Sequence, residues 1–174
     1  MDLTVLSGQL GKYLDMPSSL PPLDKWAPDL SGDIDILIKG DGTWLHEGDV
    51  IKREKLVRLF STILRRENDD YFLVTPVEKW RLSVEDQPFV IVLMHVIEKE
   101  GLQVVQMITN TGDELELGVD HDVITDTHES PKVLVRSNMY ARLSRNVYYA
   151  LAELAKEKGD GFYIESNGIE FKIG

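Results

Sequence analysis

The chain has 174 residues, 43% of them hydrophobic and 28% charged, which is ordinary for a globular protein and enough for one medium domain or two small ones. A formal net charge of −11 disfavours general binding to nucleic-acid polymers or anionic membranes, because an acidic surface repels phosphate. The absence of cysteine excludes disulfides, thiolate metal ligands and a cysteine nucleophile, and no run approaches the roughly 20 apolar residues of a membrane helix.

The N-terminal stretch lacks the basic flank and long apolar core of a secretory signal, so a cytoplasmic protein is expected. Residues 3–15 fit a short helix with Val5, Leu6, Leu10 and Leu14 near one face. Four prolines in 16–28 forbid a helix or a central strand there, so this segment should run extended, with Trp26 as its anchor. Alternation of Ile34, Ile36 and Ile38 and the turn Gly40-Asp41-Gly42 predict a β-hairpin over 33–48, with Trp44 and His46 on one face. Helical spacing of Leu56, Leu59, Phe60, Ile63 and Leu64 predicts a helix over 53–68, with Asp49 a candidate cap and Asn68-Asp69-Asp70 the stop. Strands 71–76 and 79–84 follow around Pro76-Val77-Glu78.

The second half reads as strands near 89–97, 102–109, 114–119 and 132–136, with turns at Glu100-Gly101 and Thr111-Gly112-Asp113. A helix is expected over 139–158, burying Leu143, Val147, Leu151 and Leu154, and then a hairpin over 162–173. Segment 69–82 aligns without a gap on 160–173 at an offset of 91, and the same offset places helix 53–68 on 144–159. The expected fold is therefore α+β, with two related strand–helix–hairpin units and a C-terminal half enlarged by extra antiparallel strands. Expected domains are 1–86 and 87–174. Facing units would leave a crevice, a common place for a ligand.

The strings TWLHEG (43–48), LVRLFSTILRRE (56–67) and LVTPVE (73–78), with ITNTGDELEL and ARLSRNVYYAL further on, resemble a bacterial family known as domain of unknown function 1285, from about Pro21 onward. The resemblance implies a duplicated core and a C-terminal half superficially like a pleckstrin-homology fold. It also implies a site for a nucleotide-like ligand between the halves and a role in signalling. It implies no particular reaction.

His46-Glu47 lacks the second histidine of a zincin motif and closes a strand, so no metal site is expected from it. The acidic run 120–129, with His121 and His128, lacks EF-hand spacing and reads as a solvated loop. Basic residues are unevenly spread: window 52–81 holds eight Lys and Arg against five acids, a net +3, which leaves −14 for the rest. Lys55, Arg58, Thr62 and Arg65 or Arg66 are expected on one helix face. Such a patch suits one small anion, although the same arginines could equally pair with neighbouring carboxylates. No phosphate-binding or nucleophile-elbow motif is present. The expected function is a non-enzymatic sensor or adaptor, without cofactor or metal. It would bind a small anionic ligand through His46, Arg53, Arg58, Thr75, Glu78, Arg136, Arg142 and Arg145. The alternatives are a protein–protein interaction module with no small ligand, or a hydrolase with His46 or Glu78 as general base.

Overall fold

The longer strands pair so that their apolar faces lie together, and the computed structural model shows which matches prevail. It describes residues 1–13, 20–126 and 129–174. Leu14 and most of the proline-rich segment's first third, like His128, lie outside the described residues. The chain divides into two units, Met1–Asp86 and Gln87–Gly174.

The first unit opens with α1 (Leu3–Gln9), capped by the Asp2 carboxylate on the Thr4 amide, and Leu6 and Leu10 are fully buried. Short 3-10 turns at Gly11–Tyr13 and Leu23–Lys25 follow. The sheet strands are β1 (Leu30–Ile38), β2 (Trp44–His46) and β3 (Asp49–Val50). After helix α2 (Glu54–Thr62) come β4 (Leu64–Glu67), β5 (Asp70–Val74) and β6 (Lys79–Val84). They form one six-stranded sheet in the order β3-β2-β1-β6-β5-β4, with the β1–β6 pair parallel. Ile34, Ile36 and Ile38 alternate inward as their spacing predicts, beside Trp44, Phe60, Ile63 and Leu73.

Two expectations are corrected here. The helix expected to Asn68 stops at Thr62, because the Ser61 and Thr62 hydroxyls bond back to the carbonyls of Arg58 and Leu59 and compete with the helical backbone. Residues 64–67 then extend as β4, with Leu64 opposite Leu73. Asp49 does not cap α2: it lies in β3, and Arg53 occupies the cap position with no side-chain hydrogen bond.

The second unit contains β7 (Phe89–Lys99), β8 (Leu102–Thr109), β9 (Glu114–Glu116), β10 (Val123–Ile124), β11 (Lys132–Arg136) and β12 (Met139–Leu143). Helix α3 (Arg145–Leu154) leads into β13 (Lys156–Lys158), β14 (Gly161–Ser166) and β15 (Ile169–Lys172). A six-stranded sheet runs β10-β11-β12-β7-β8-β9, and β13-β14-β15 make a second sheet. The expected helix over 139–158 is thus a strand, a shorter helix and another strand. Met139, Ala141 and Leu143 alternate inward as β12, and Ser144 caps α3 by accepting from the Val147 amide.

The repeat at offset 91 extends to hydrogen-bond register. In the first unit Arg65 pairs with Phe72 and Tyr71 with Leu82. The shifted positions pair identically: Lys156 with Tyr163 in β13–β14, and Tyr163 with Lys172 where Phe72 pairs with Arg81. Helix starts coincide, with cap positions Arg53 and Ser144. The turn after β4 uses Asn68 at φ 56°, and its counterpart after β13 is Gly159 at φ 53°. Both satisfy a left-handed position, which asparagine tolerates and glycine adopts freely.

Candidate anion-binding site

The eight basic residues of 52–81 fall into two groups. The C-terminal four are committed to the fold. Arg65 donates to the carbonyls of Leu23 and Trp26 and so holds the chain ahead of β1. Arg66 lies 3.5 Å from the Asp69 carboxylate, and Lys79 donates to Glu67 at 3.0 Å. Arg81 is 3.6 Å from Asp33. Because Arg65 and Arg66 belong to β4, the helix face expected to join them to Lys55, Arg58 and Thr62 does not form.

Lys52, Arg53, Lys55 and Arg58 are different. All four are exposed, and none of their side chains has a hydrogen-bond or ion-pair partner among the described residues. They occupy the β3–α2 connection and the first turns of α2, with Glu54 the single carboxylate among them. No side chain caps the helix, so its first amides point outward among four cations. That combination attracts an anion, since the positive end of the helix dipole and the side chains act in the same sense. Without a counter-charge it is also locally unfavourable. Arg53→Ser, which supplies the missing cap, should stabilise the first unit by about 1 kcal/mol, read from a denaturant midpoint.

The other predicted residues of this unit sit as follows. His46 ends β2, half-buried, opposite Ile36 and Asp49. Thr75 is fully buried, and its hydroxyl accepts from the amides of Val77 at 3.3 Å and Glu78 at 3.0 Å, which closes the β5–β6 turn. The Glu78 carboxylate accepts from Gln9 Nε2 at 2.9 Å. Thr75 and Glu78 are therefore neighbours in a turn.

In the second unit, Arg136 lies 2.5 Å from the Asp113 carboxylate, and its guanidinium stands 4.8 Å above the Phe89 ring. Asp113 also accepts from the hydroxyls of Thr111 at 2.7 Å and Thr109 at 2.8 Å. Burial pushes this carboxyl up, but Arg136 and the two hydroxyls outweigh it and hold it below the usual aspartate value. Sequence reasoning took Thr111-Gly112-Asp113 as a turn and missed the ion pair, whose partners lie in the β8–β9 turn and at the end of β11. Arg142, half-buried, sits in β12 opposite Lys132 and Val90, and it too is engaged. Arg145 opens α3, exposed, with its guanidinium 5.7 Å from the Tyr149 ring.

His121 Nδ1 lies 3.0 Å from the Leu134 carbonyl, and no group of three His, Asp or Glu is placed to hold a metal among the described residues. No described helix is long and apolar enough to cross a membrane.

These features define a two-unit α+β protein with a cationic helix start in an acidic chain. Comparison with known families then gives the membership. The N-terminal domain of DUF1285, a domain of unknown function, matches residues 21–87, and the C-terminal domain of DUF1285, described as a protein of unknown function, matches residues 88–173. The chain belongs to this family. A DUF1285 family protein from Silicibacter pomeroyi DSS-3 is similar at 36% identity, with a TM-score of 0.81 over 95% of this chain and 93% of that one. A second, from Shewanella baltica OS155, is 28% identical, with a TM-score of 0.57 over 69% of this chain and 91% of that one. No curated protein matches.

Proposed function

We propose that this chain is a non-catalytic sensor or adaptor that binds a small anionic ligand on the segment Lys52–Arg58. The observation that carries this reading is the set of four exposed, unpartnered cations around the uncapped start of α2, in a chain of net charge −11. An acidic exterior with one local positive site repels anionic polymers while admitting a single small anion. The nucleotide-like class of the ligand, a signalling role, a cytoplasmic location and a pleckstrin-homology-like character for the second unit extend this proposal from the family resemblance.

A thermal-shift screen against nucleotides, cyclic nucleotides, sugar phosphates and inorganic phosphate tests it. A ligand that binds only the folded state stabilises it by roughly 2.7 kcal/mol at 100 times Kd. The expected hit raises the melting temperature of the native chain and of Arg145→Ala, and loses its effect in Arg53→Ser and Arg58→Ala. A screen with no shift at millimolar concentrations, or a shift that survives both variants, contradicts the proposal.

A further inference from the structure

Strand β7 presents a free edge. On one side it pairs with β8 from Ile91 to Lys99, with a single register shift at Val92. On the other, β12 pairs only with Phe89, Val90 and Ile91, and among the described residues no strand continues beyond. The turn Glu100-Gly101, at φ 55° and 79°, fixes which groups face outward. Both turn residues are left-handed, as a type I′ hairpin requires, so Lys99 and Leu102 exchange hydrogen bonds. The alternation continues to Ile97–Val104, His95–Gln106 and Leu93–Ile108. Two bonds on β8 agree: the Val105 amide donates to Ser166 Oγ and the Gln103 carbonyl accepts from Asn167, both away from β7. The backbone groups of Met94, Val96 and Glu98 therefore point to the open edge.

Four side chains along this stretch are apolar and uncovered. Val92, Leu93, Val96 and Ile97 are 40, 51, 45 and 36% exposed. Open apolar edges are usually blunted by charge, proline or a covering element. Here Val92–Ile97 contains no Lys, Arg, Asp, Glu or Pro.

We infer that the β7 edges of two copies of this chain pair antiparallel about His95. This register sets Met94 against Val96 of the partner subunit, using the outward groups of both. Leu93 meets Ile97 and Val92 meets Glu98, so no like charges oppose each other across the pair. The ends are complementary as well. The Ser144 amide donates to the Ile91 carbonyl at 2.9 Å, so exposed Arg145 stands where β12 leaves β7. The segment Glu98–Glu100 of the partner subunit, two carboxylates to one lysine, arrives at that point. A single strand pair lies at the small end of specific interfaces, so the dimer is concentration-dependent and not obligate. The inference is independent of the anion proposal.

The chain's lack of cysteine makes the test direct. His95→Cys places the two thiols in a non-hydrogen-bonded pair with Cα atoms about 4.5 Å apart, within disulfide reach. Mild oxidation should give a covalent dimer, and Leu93→Cys, which faces residue 97, should give little. Sedimentation of the native chain should show a reversible dimer. Val96→Lys, at an exposed position, should weaken it at least tenfold with an unchanged far-UV spectrum. A native chain that stays monomeric at millimolar concentration, or cross-linking of Leu93→Cys as fast as His95→Cys, overturns the inference.

Discussion

Asp113→Asn should destabilise the second unit by roughly 3 kcal/mol, at the low end for a broken buried ion pair because the carboxylate keeps 23% of its exposure. The substitution removes the charge facing Arg136, whose side chain is only 13% exposed, and weakens the hydroxyl contacts of Thr109 and Thr111. For a unit this size that corresponds to a fall in melting temperature on the order of 10–20 °C. The pH dependence has a definite sign. Asp113 holds its proton less tightly folded than unfolded, so its contribution is complete above the unfolded aspartate value near 3.9 and is lost as pH falls through the lower, folded value. Asp113→Asn should lack that acid-sensitive part. Adding Arg136→Met should recover part of the loss, since it removes the buried charge along with its partner. Urea titrations followed by far-UV circular dichroism between pH 2 and 7 measure both effects. A loss below 1 kcal/mol would show that the pair is solvent-screened.

Phe60→Ala and Leu151→Ala should each cost about 3–4 kcal/mol. The two residues stand 91 positions apart at matching places in α2 and α3, and both are fully buried. α3 packs on β7 and β12 and α2 packs on α1, so a truncation on either buried helix face leaves a cavity. All three tryptophans, Trp26, Trp44 and Trp80, belong to the first unit. Tryptophan fluorescence therefore reports Phe60→Ala directly, and Leu151→Ala needs circular dichroism. A cost under 1 kcal/mol at either position would mean that the helix does not pack as described.

Much of this architecture was legible, and the failures have physical causes. The isoleucine alternation of β1 and the turn at Gly40-Asp41-Gly42 identified their hairpin. The gap-free alignment of 69–82 on 160–173 anticipated a repeat that holds at the level of strand register. The end of α2 was misjudged because Ile63 and Leu64 satisfy the helical period and also the start of a buried strand. Pairing with Leu73, a tertiary fact, decides between them. Lys156-Glu157-Lys158 has no apolar pattern and is a strand only because β14 lies beside it. The basic window was visible in composition, but its division into four committed and four free cations depends on which carbonyls and carboxylates the fold brings near. The Asp113–Arg136 pair, 23 residues apart, was invisible for the same reason.

Amide chemical-shift mapping tests the central claim most directly. The 15N-labelled chain would be titrated with the strongest hit of the nucleotide and sugar-phosphate panel, with inorganic phosphate as the minimal anion. The account predicts saturable shifts concentrated on Lys52–Val57, at the uncapped amides of α2, and their loss in Arg53→Ser. Shifts confined to other segments, or none up to millimolar ligand, would contradict it.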